Sequence, residues 1–425
     1  MRKTVVLLVA AFAIASTQIV RAAEPTVSVP AELTLREALR LALIASPRLQ
    51  TLGWEIRKAE GRTRQAGARP NPELSFDLEN VGGSSSSSEA TLSVGQLIEL
   101  GGKRSARVGA ARAEEQVVSL DIQTERLALV GEVTTRFIEA LSAERSLTLA
   151  EDEIRAAEEA ATTNAQRVQA GAAHPVERRR AEVELANVRL ERAIIQSDAA
   201  LARSRLSATW GEPEPRFERL VGLFDSLPPL PNIDSIQVRA AASPVLARWR
   251  AERESRQRKL DLERARRVPN LTPSAGIRTL NDGNDRTFVG GLSLPLPLFD
   301  RNRGAIDEAS AALQQAPLAE TQARLELRRS LAESHATLRR ARAKLDAIRR
   351  EVLPEAALAF EEMRTGYERG RFTYLDLLEA RRTLLRARRE ELQTLLTAHL
   401  AVAELERLVG APLETDSNRE GRLDR

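Results

Sequence analysis

Apolar and polar positions follow two different periods along this chain, and the periods succeed one another in the same order twice. Leu35, Ala38, Leu39, Leu41 and Ala42 share one face at helical spacing, which predicts an opening helix. Strict alternation follows from Glu73 to Val81, with Leu74, Phe76 and Leu78 on one face and Ser75, Asp77 and Glu79 on the other. It resumes from Ala90 to Gln96, where Leu92 and Val94 stand opposite Thr91 and Ser93. Gly82-Gly83 and the run Ser84 to Ser88 predict a flexible loop between them, so the pair reads as a hairpin with strands near 73–81 and 90–97. A second hairpin is predicted near 272–280 and 287–294, joined through Asn281-Asp282-Gly283-Asn284. These strands approach the ~9–11 residues that cross a bilayer.

A long helical stretch comes after each hairpin. Arg104 to Gln169 contains no proline and alternates charged with apolar residues. Leu147, Ile154, Ala161 and Val168 recur every seven positions, as do Leu331, Leu338, Leu345 and Val352, which predicts coiled-coil packing. Pro317 and Pro354 predict kinks in the second stretch. Each stretch ends at a glycine, Gly171 or Gly370, and a further helix returns. Thr373-Tyr374-Leu375-Asp376 reads as a capping box, and the aligned His174-Pro175-Val176-Glu177 places proline at the first helical position.

The order is a duplication. Ser46-Pro47 recurs as Ser243-Pro244, Pro70-Asn71 as Pro269-Asn270, and Gly171 to Ala181 as Gly370 to Ala380, at offsets of 197, 199 and 199. The expected organisation is a first repeat over 24–227, a linker over 228–231, a second repeat over 232–413 and a disordered polar tail over 414–425.

Composition narrows the picture. Met1-Arg2-Lys3, an apolar stretch from Thr4 to Val20 and the small residues Ala22-Ala23 predict a signal peptide over 1–23, so the chain is exported. It has no cysteine, which excludes disulfides, thiolate metal sites and a lipidated cysteine. The formal charge of +4 falls to +1 once Arg2, Lys3 and Arg21 are removed, which argues against nucleic acid as a partner. His174, His335 and His399 lack ligand spacing, and no nucleophile–base set appears, so neither a metal site nor a cofactor nor an enzyme is expected. After the signal no run is long enough for a membrane helix, so any crossing must use β-structure. Aromatic residues are only 3%, which limits the chain's share of a barrel. Four strands cannot close a barrel alone, and lipid does not tolerate open edges, so if these strands span a membrane several chains must contribute to one barrel, the alternative being a soluble β-appendage.

Three segments carry a family resemblance: Gly366-Tyr367-Glu368-Arg369-Gly370-Arg371-Phe372-Thr373-Tyr374-Leu375-Asp376-Leu377-Leu378-Glu379-Ala380, Ile98-Glu99-Leu100-Gly101-Gly102-Lys103-Arg104, and Leu294-Pro295-Leu296-Pro297-Leu298-Phe299-Asp300-Arg301-Asn302-Arg303-Gly304. With the duplicated layout they resemble the TolC family of outer-membrane efflux proteins, from about Leu33 to Gly410. The second and third resemble members serving cobalt–zinc–cadmium-type pumps. The resemblance implies a mainly α protein with a small β part, a homotrimer with a twelve-stranded β-barrel in outer-membrane lipid, and an α-helical coiled-coil tunnel in the periplasm. It implies a periplasmic adaptor protein and an inner-membrane resistance–nodulation–division transporter as partners, with heavy-metal cations as cargo.

The resemblance also assigns residues. Asp376 and Glu379 match acids lining the periplasmic entrance, while Tyr367 and Glu177 belong to the turn network that closes it. Gly171, Ala172, Gly370 and Arg371 fall on the adaptor-docking turns. Phe372 stands where some members carry an arginine of the closing network. From the residues alone, Asp376 is equally a capping acid and Glu379 a solvated helix residue. Multidrug efflux and type I protein secretion share the fold and remain open alternatives; a periplasmic adaptor fits less well, since two complete strand-bearing copies are present.

Overall fold

The computed structural model describes residues 29–80, 88–280 and 285–413. The expected signal peptide, most of the glycine–serine loop, the Asn281–Asn284 turn and the 414–425 tail lie outside the described residues. Strand β1 (Glu32–Thr34) leads into helices α1 (Leu35–Ala45) and α2 (Pro47–Ala66), strands β2 (Glu73–Glu79) and β3 (Glu89–Gly95), the long helix α3 (Lys103–Gln169) and its return α4 (Pro175–Ser207). A short strand β4 (Arg219–Val221) follows. The order then recurs as α5 (Ile233–Ala240), α6 (Pro244–Arg266), β5 (Thr272–Leu280), β6 (Asp285–Ser293), α7 (Arg303–Ala347), α8 (Leu353–Glu368) and α9 (Tyr374–Val409).

Local chemistry sets these boundaries. Thr34 caps α1 by accepting from the Glu37 amide at 3.3 Å, and Asn232 caps α5 by accepting from Asp234 at 2.8 Å. Pro47 and Pro244 open α2 and α6, where a missing N–H leaves nothing unpaired. Helix α3 runs 67 residues without a break, ~100 Å at ~1.5 Å per residue.

The two hairpins join into one antiparallel sheet of order β2-β3-β5-β6, leaving β2 and β6 as edges. Its register puts Phe76 opposite Leu92, Leu92 opposite Ile277, and Ile277 opposite Phe288. Strands β1 and β4 form a separate parallel pair, Leu33 opposite Leu220, which the sequence reading did not anticipate. Three residues are too few for alternation to register.

Buried side chains concentrate where α1, α3, β4 and α9 meet, around Leu33, Leu41, Val133, Phe137, Trp210, Phe224 and Leu395. A second cluster around Ile236, Leu246, Leu331, Leu338 and Leu405 does the same for α5, α6, α7 and α9.

The expected seven-residue seams need correction. In α3 the fully buried line is Ala150, Ala157 and Asn164, while Leu147, Ile154, Ala161 and Val168 are only half-buried. Small side chains on the contact line let neighbouring helices approach closely, and the larger residues flank it. In α7, Leu331, Leu338 and Leu345 are buried as expected, but Val352 is 46% exposed. A π-helical turn over Ile348–Val352 inserts one residue, so the seam passes to Leu353, Ala356, Phe360 and Tyr367. The turn ends just before Pro354, whereas α7 continues through Pro317 without interruption.

Candidate functional site

Both helix–helix turns close on one backbone motif. In the first, the Ala172 amide donates to Arg167 O at 2.8 Å and the Gly171 amide to Val168 O at 3.1 Å. In the second, Arg371 donates to Gly366 O at 2.8 Å and Gly370 to Tyr367 O at 3.0 Å. This is the Schellman pattern, with glycine at the left-handed position. Gly171 and Gly370 have φ of 72° and 71°, and a side chain on either would meet open space. The dihedral alone calls for glycine there. Gly171, Ala172, Gly370 and Arg371 are exposed at the two tips.

The helices that return are capped differently. His174 Nδ1 accepts from the Val176 amide at 3.2 Å, with Pro175 opening α4. Thr373 and Asp376 form a complete capping box: the Thr373 amide donates to Asp376 Oδ2 at 2.9 Å, and the Asp376 amide to Thr373 Oγ1 at 3.3 Å. The Thr373 hydroxyl also donates to Asp376 Oδ2, at 2.7 Å. These bonds, the hydroxyl's first, hold the exposed Asp376 carboxyl below the usual aspartate range. Glu379 is exposed one turn further on, with Arg382 beyond it.

Tyr367 joins the two turns. Its hydroxyl lies 2.6 Å from Asn164 Oδ1 on α3 and 3.1 Å from Glu177 Oε2 on α4, so its single proton has two acceptors. Asn164 is almost wholly buried and donates its own amide to Ala160 O at 2.8 Å. The Arg167 guanidinium sits 4.5 Å from the Tyr367 ring centroid and donates to Tyr367 O at 3.3 Å. Tyr374 packs tilted against Tyr367, ring centroids 5.9 Å apart. Burial, and after it the Glu177 charge, pushes the Tyr367 hydroxyl up to about 12. Phe372 covers the bare Cα of Gly366; a Cβ there would lie 2.2 Å from its ring.

Ion pairs continue the link along α9. Arg382 reaches Glu184 at 2.6 Å, and one heptad later Arg389 reaches Glu191 at 2.5 Å. Arg389 also holds the buried Glu153 of α3 at 2.5 Å, and Arg381 donates to Glu153 O at 2.7 Å. Tyr367 and Glu177 are therefore brought together, while Asp376 and Glu379 stand outside their network on the exposed face. Sequence reading missed Asn164, Arg167, Glu153 and Arg389. The offset of 198 shared by the Arg382–Glu184 and Arg389–Glu191 pairs was the available signal, since it lies one short of the 199 that relates the two turns.

The sheet is the other distinctive surface. Rows Leu74–Val94–Ala275 and Phe76–Leu92–Ile277–Phe288 occupy one face, and Phe288 is 92% exposed. The opposite face carries Ser75 and Ser93, their hydroxyls 2.7 Å apart, and Arg278 paired with Glu89 at 2.9 Å. The three histidines lie apart: His174 in its cap, His335 Nε2 3.0 Å from Pro231 O, and His399 Nε2 2.8 Å from Phe224 O. Among the described residues no cluster of three acids or histidines is arranged to hold a metal ion, and no helix is long and apolar enough to cross a membrane.

The model of the outer membrane efflux protein family matches residues 38–212 and 236–411. The chain belongs to this family. Within it, the cobalt-zinc-cadmium resistance protein CzcC of Cupriavidus metallidurans is 35% identical over 89% of this chain and 90% of its own length. The nickel-cobalt-cadmium resistance protein NccC of Alcaligenes xylosoxydans xylosoxydans is 28% identical over 68% of this chain and 65% of its own. Among solved structures, CusC superposes with a TM-score of 0.73 at 18% identity, covering 89% of this chain and 92% of that one. The fold is thus that of an outer-membrane efflux protein, mainly helical with one small sheet.

Proposed function

We propose that this chain is the outer-membrane channel subunit of a tripartite resistance–nodulation–division pump that exports heavy-metal cations. The observation that carries the cargo is the 35% identity, along 89% of the chain, to a protein named for cobalt, zinc and cadmium resistance. What supports a shared barrel is the sheet. One face is apolar and exposed, the other polar, and edges β2 and β6 are unpaired among the described residues. Lipid rewards the first face and forbids the open edges, so edge pairing between copies satisfies both demands. Three chains would supply twelve strands. Each protomer's long helices then continue the barrel into the periplasm as a tunnel.

The two glycine turns form the far end of that tunnel. Gly171, Ala172, Gly370 and Arg371 offer exposed tips for the periplasmic adaptor, which bridges to the inner-membrane transporter. Asp376 and Glu379 contribute rings of like charge at the entrance, where carboxylates attract cations and repel anions. Tyr367, through Asn164 and Glu177, holds the α8–α9 pair against the α3–α4 pair. Opening therefore requires those bonds to break. Selectivity among cations resides in the partner proteins, since the channel supplies charge and passage.

Deleting the gene should sensitise its host to cobalt, zinc or cadmium, and plasmid expression of this chain should restore growth. Sensitivity confined to organic drugs, or loss of a secreted protein, would overturn the cargo assignment.

A further inference from the structure

The four joints between helix and sheet share a net positive charge. Segments 62–73, 96–107, 262–271 and 294–305 together hold eleven Lys or Arg against four Asp or Glu, a net +7 in a chain whose whole formal charge is +4. Each joint is basic on its own. They meet at one end of the helical body: Ile98 bonds to Leu271, Lys103 to Asn270, Arg104 to Gly67 O and Asn302 to Glu263. Three of the four acids are engaged locally. Glu99 pairs with Arg107, Glu263 with Arg266 at 2.7 Å, and Asp300 accepts from the Asn302 amide at 2.9 Å. Arg64, Arg69, Arg104, Arg264, Arg301 and Arg303 are exposed and pair with no carboxylate among the described residues.

Helix stability does not account for this placement. The ends of α2 and α6 gain from basic residues in their last turns, but α3 and α7 begin with Lys103-Arg104 and Arg303 and carry no acid in their first turns. Cations at a helix start oppose the dipole. Beside the arginines runs an exposed apolar strip. The β6–α7 connector, two residues longer than its β3–α3 counterpart, presents Leu296, Leu298 and Phe299, the last 99% exposed. In sequence the strip follows directly on the exposed Leu292, which shares the apolar face of β6 with Phe288.

We infer that the collar binds the phosphate headgroups of anionic phospholipids in the periplasmic leaflet, with Leu296, Leu298 and Phe299 seated among the adjoining acyl chains. Guanidinium groups match phosphate oxygens in a two-pronged geometry, and basic residues next to a membrane segment draw acidic lipid to it. Continuity of charge with an apolar sheet face selects lipid over free phosphate. The inference rests on the sheet lying in a membrane.

The test assembles the full-length protein in phosphatidylethanolamine vesicles containing a minor share of phosphatidylglycerol, extracts it in mild detergent and measures the lipid retained. Phosphatidylglycerol should be enriched roughly threefold or more over the vesicle composition. The enrichment should decline as salt is raised. Changing Arg64, Arg69, Arg104, Arg264, Arg301 and Arg303 to Gln should abolish it, whereas Arg178→Gln with Arg179→Gln and Arg180→Gln at the far turn should leave it intact. Lipid retained without anionic preference, or a preference that survives the six-fold change or is indifferent to salt, overturns the collar alone. Should the six-fold variant fail to assemble, the salt dependence of the unaltered protein decides. Protein that takes up no lipid at all overturns the membrane reading and the collar together.

Discussion

Tyr367 carries more structural consequence than any other residue at the turns. Its hydroxyl serves the carbonyl oxygen of the buried Asn164. Tyr367→Phe should therefore cost about 1–3 kcal/mol, read from denaturant melts, because a buried acceptor loses its donor. The pH dependence has a definite sign. The hydroxyl is pushed up to about 12 in the folded chain, against about 10 for a free tyrosine. Its contribution is complete below pH about 10 and is lost as pH climbs toward 12, so the alkaline decline in stability should be shallower in Tyr367→Phe. Tyr374, raised by its own burial, keeps part of that decline. Tyr367 and Glu177 were legible through the turn signature, but Asn164 and Arg167 were not. A partner some 200 residues away leaves no local pattern. For the proposed entrance acids, Asp376→Asn with Glu379→Gln should reduce cation preference in single-channel recordings. Glu391→Gln should not, since that carboxylate is held by Arg349 at 2.6 Å. Equal selectivity in all three proteins would leave Asp376 as a cap and Glu379 as a solvated side chain.

Among the elements, the long helices were legible from composition and the absence of proline, while their packing phase was not. A seven-residue repeat names a stripe, yet α3 buries the alanine line three positions away from the leucine line. The sequence marked this place through Pro354 but not the form of the interruption, a π-turn that Pro317 does not produce in α7. Pro354 has no N–H to donate, and its ring would clash with a carbonyl one turn back in a regular α-helix. The extra residue in Ile348–Val352 opens the backbone at that place and shifts the seam from Val352 to Leu353. Deleting Arg350 together with Pro354→Ala should restore one continuous seam and leave the melting temperature within a few degrees of the parent. The same deletion with Pro354 retained should cost about 3 kcal/mol. Circular dichroism melts of the two variants separate these outcomes; equal stability would contradict the role given to the proline. The hairpins, in contrast, were read to within two residues at each end. Alternation flips every side chain between faces and so survives any neighbour.

For the whole molecule, duplication was the most legible property, because three anchors share nearly one offset. The joining of both hairpins into one sheet was not legible, since β3–β5 pairing spans about 190 residues. On the proposed membrane reading, that sheet is also where one chain is insufficient. Among the described residues, strands β2 and β6 leave their outer hydrogen-bonding edges unpaired, and a membrane cannot satisfy them. Every further element of the proposal, from the tunnel to the entrance rings, presumes that other copies do so. Native mass spectrometry of the particle released from outer membranes by mild detergent tests this directly. A single species with the mass of three mature chains is expected. A monomer, or any assembly that is not threefold, would contradict it.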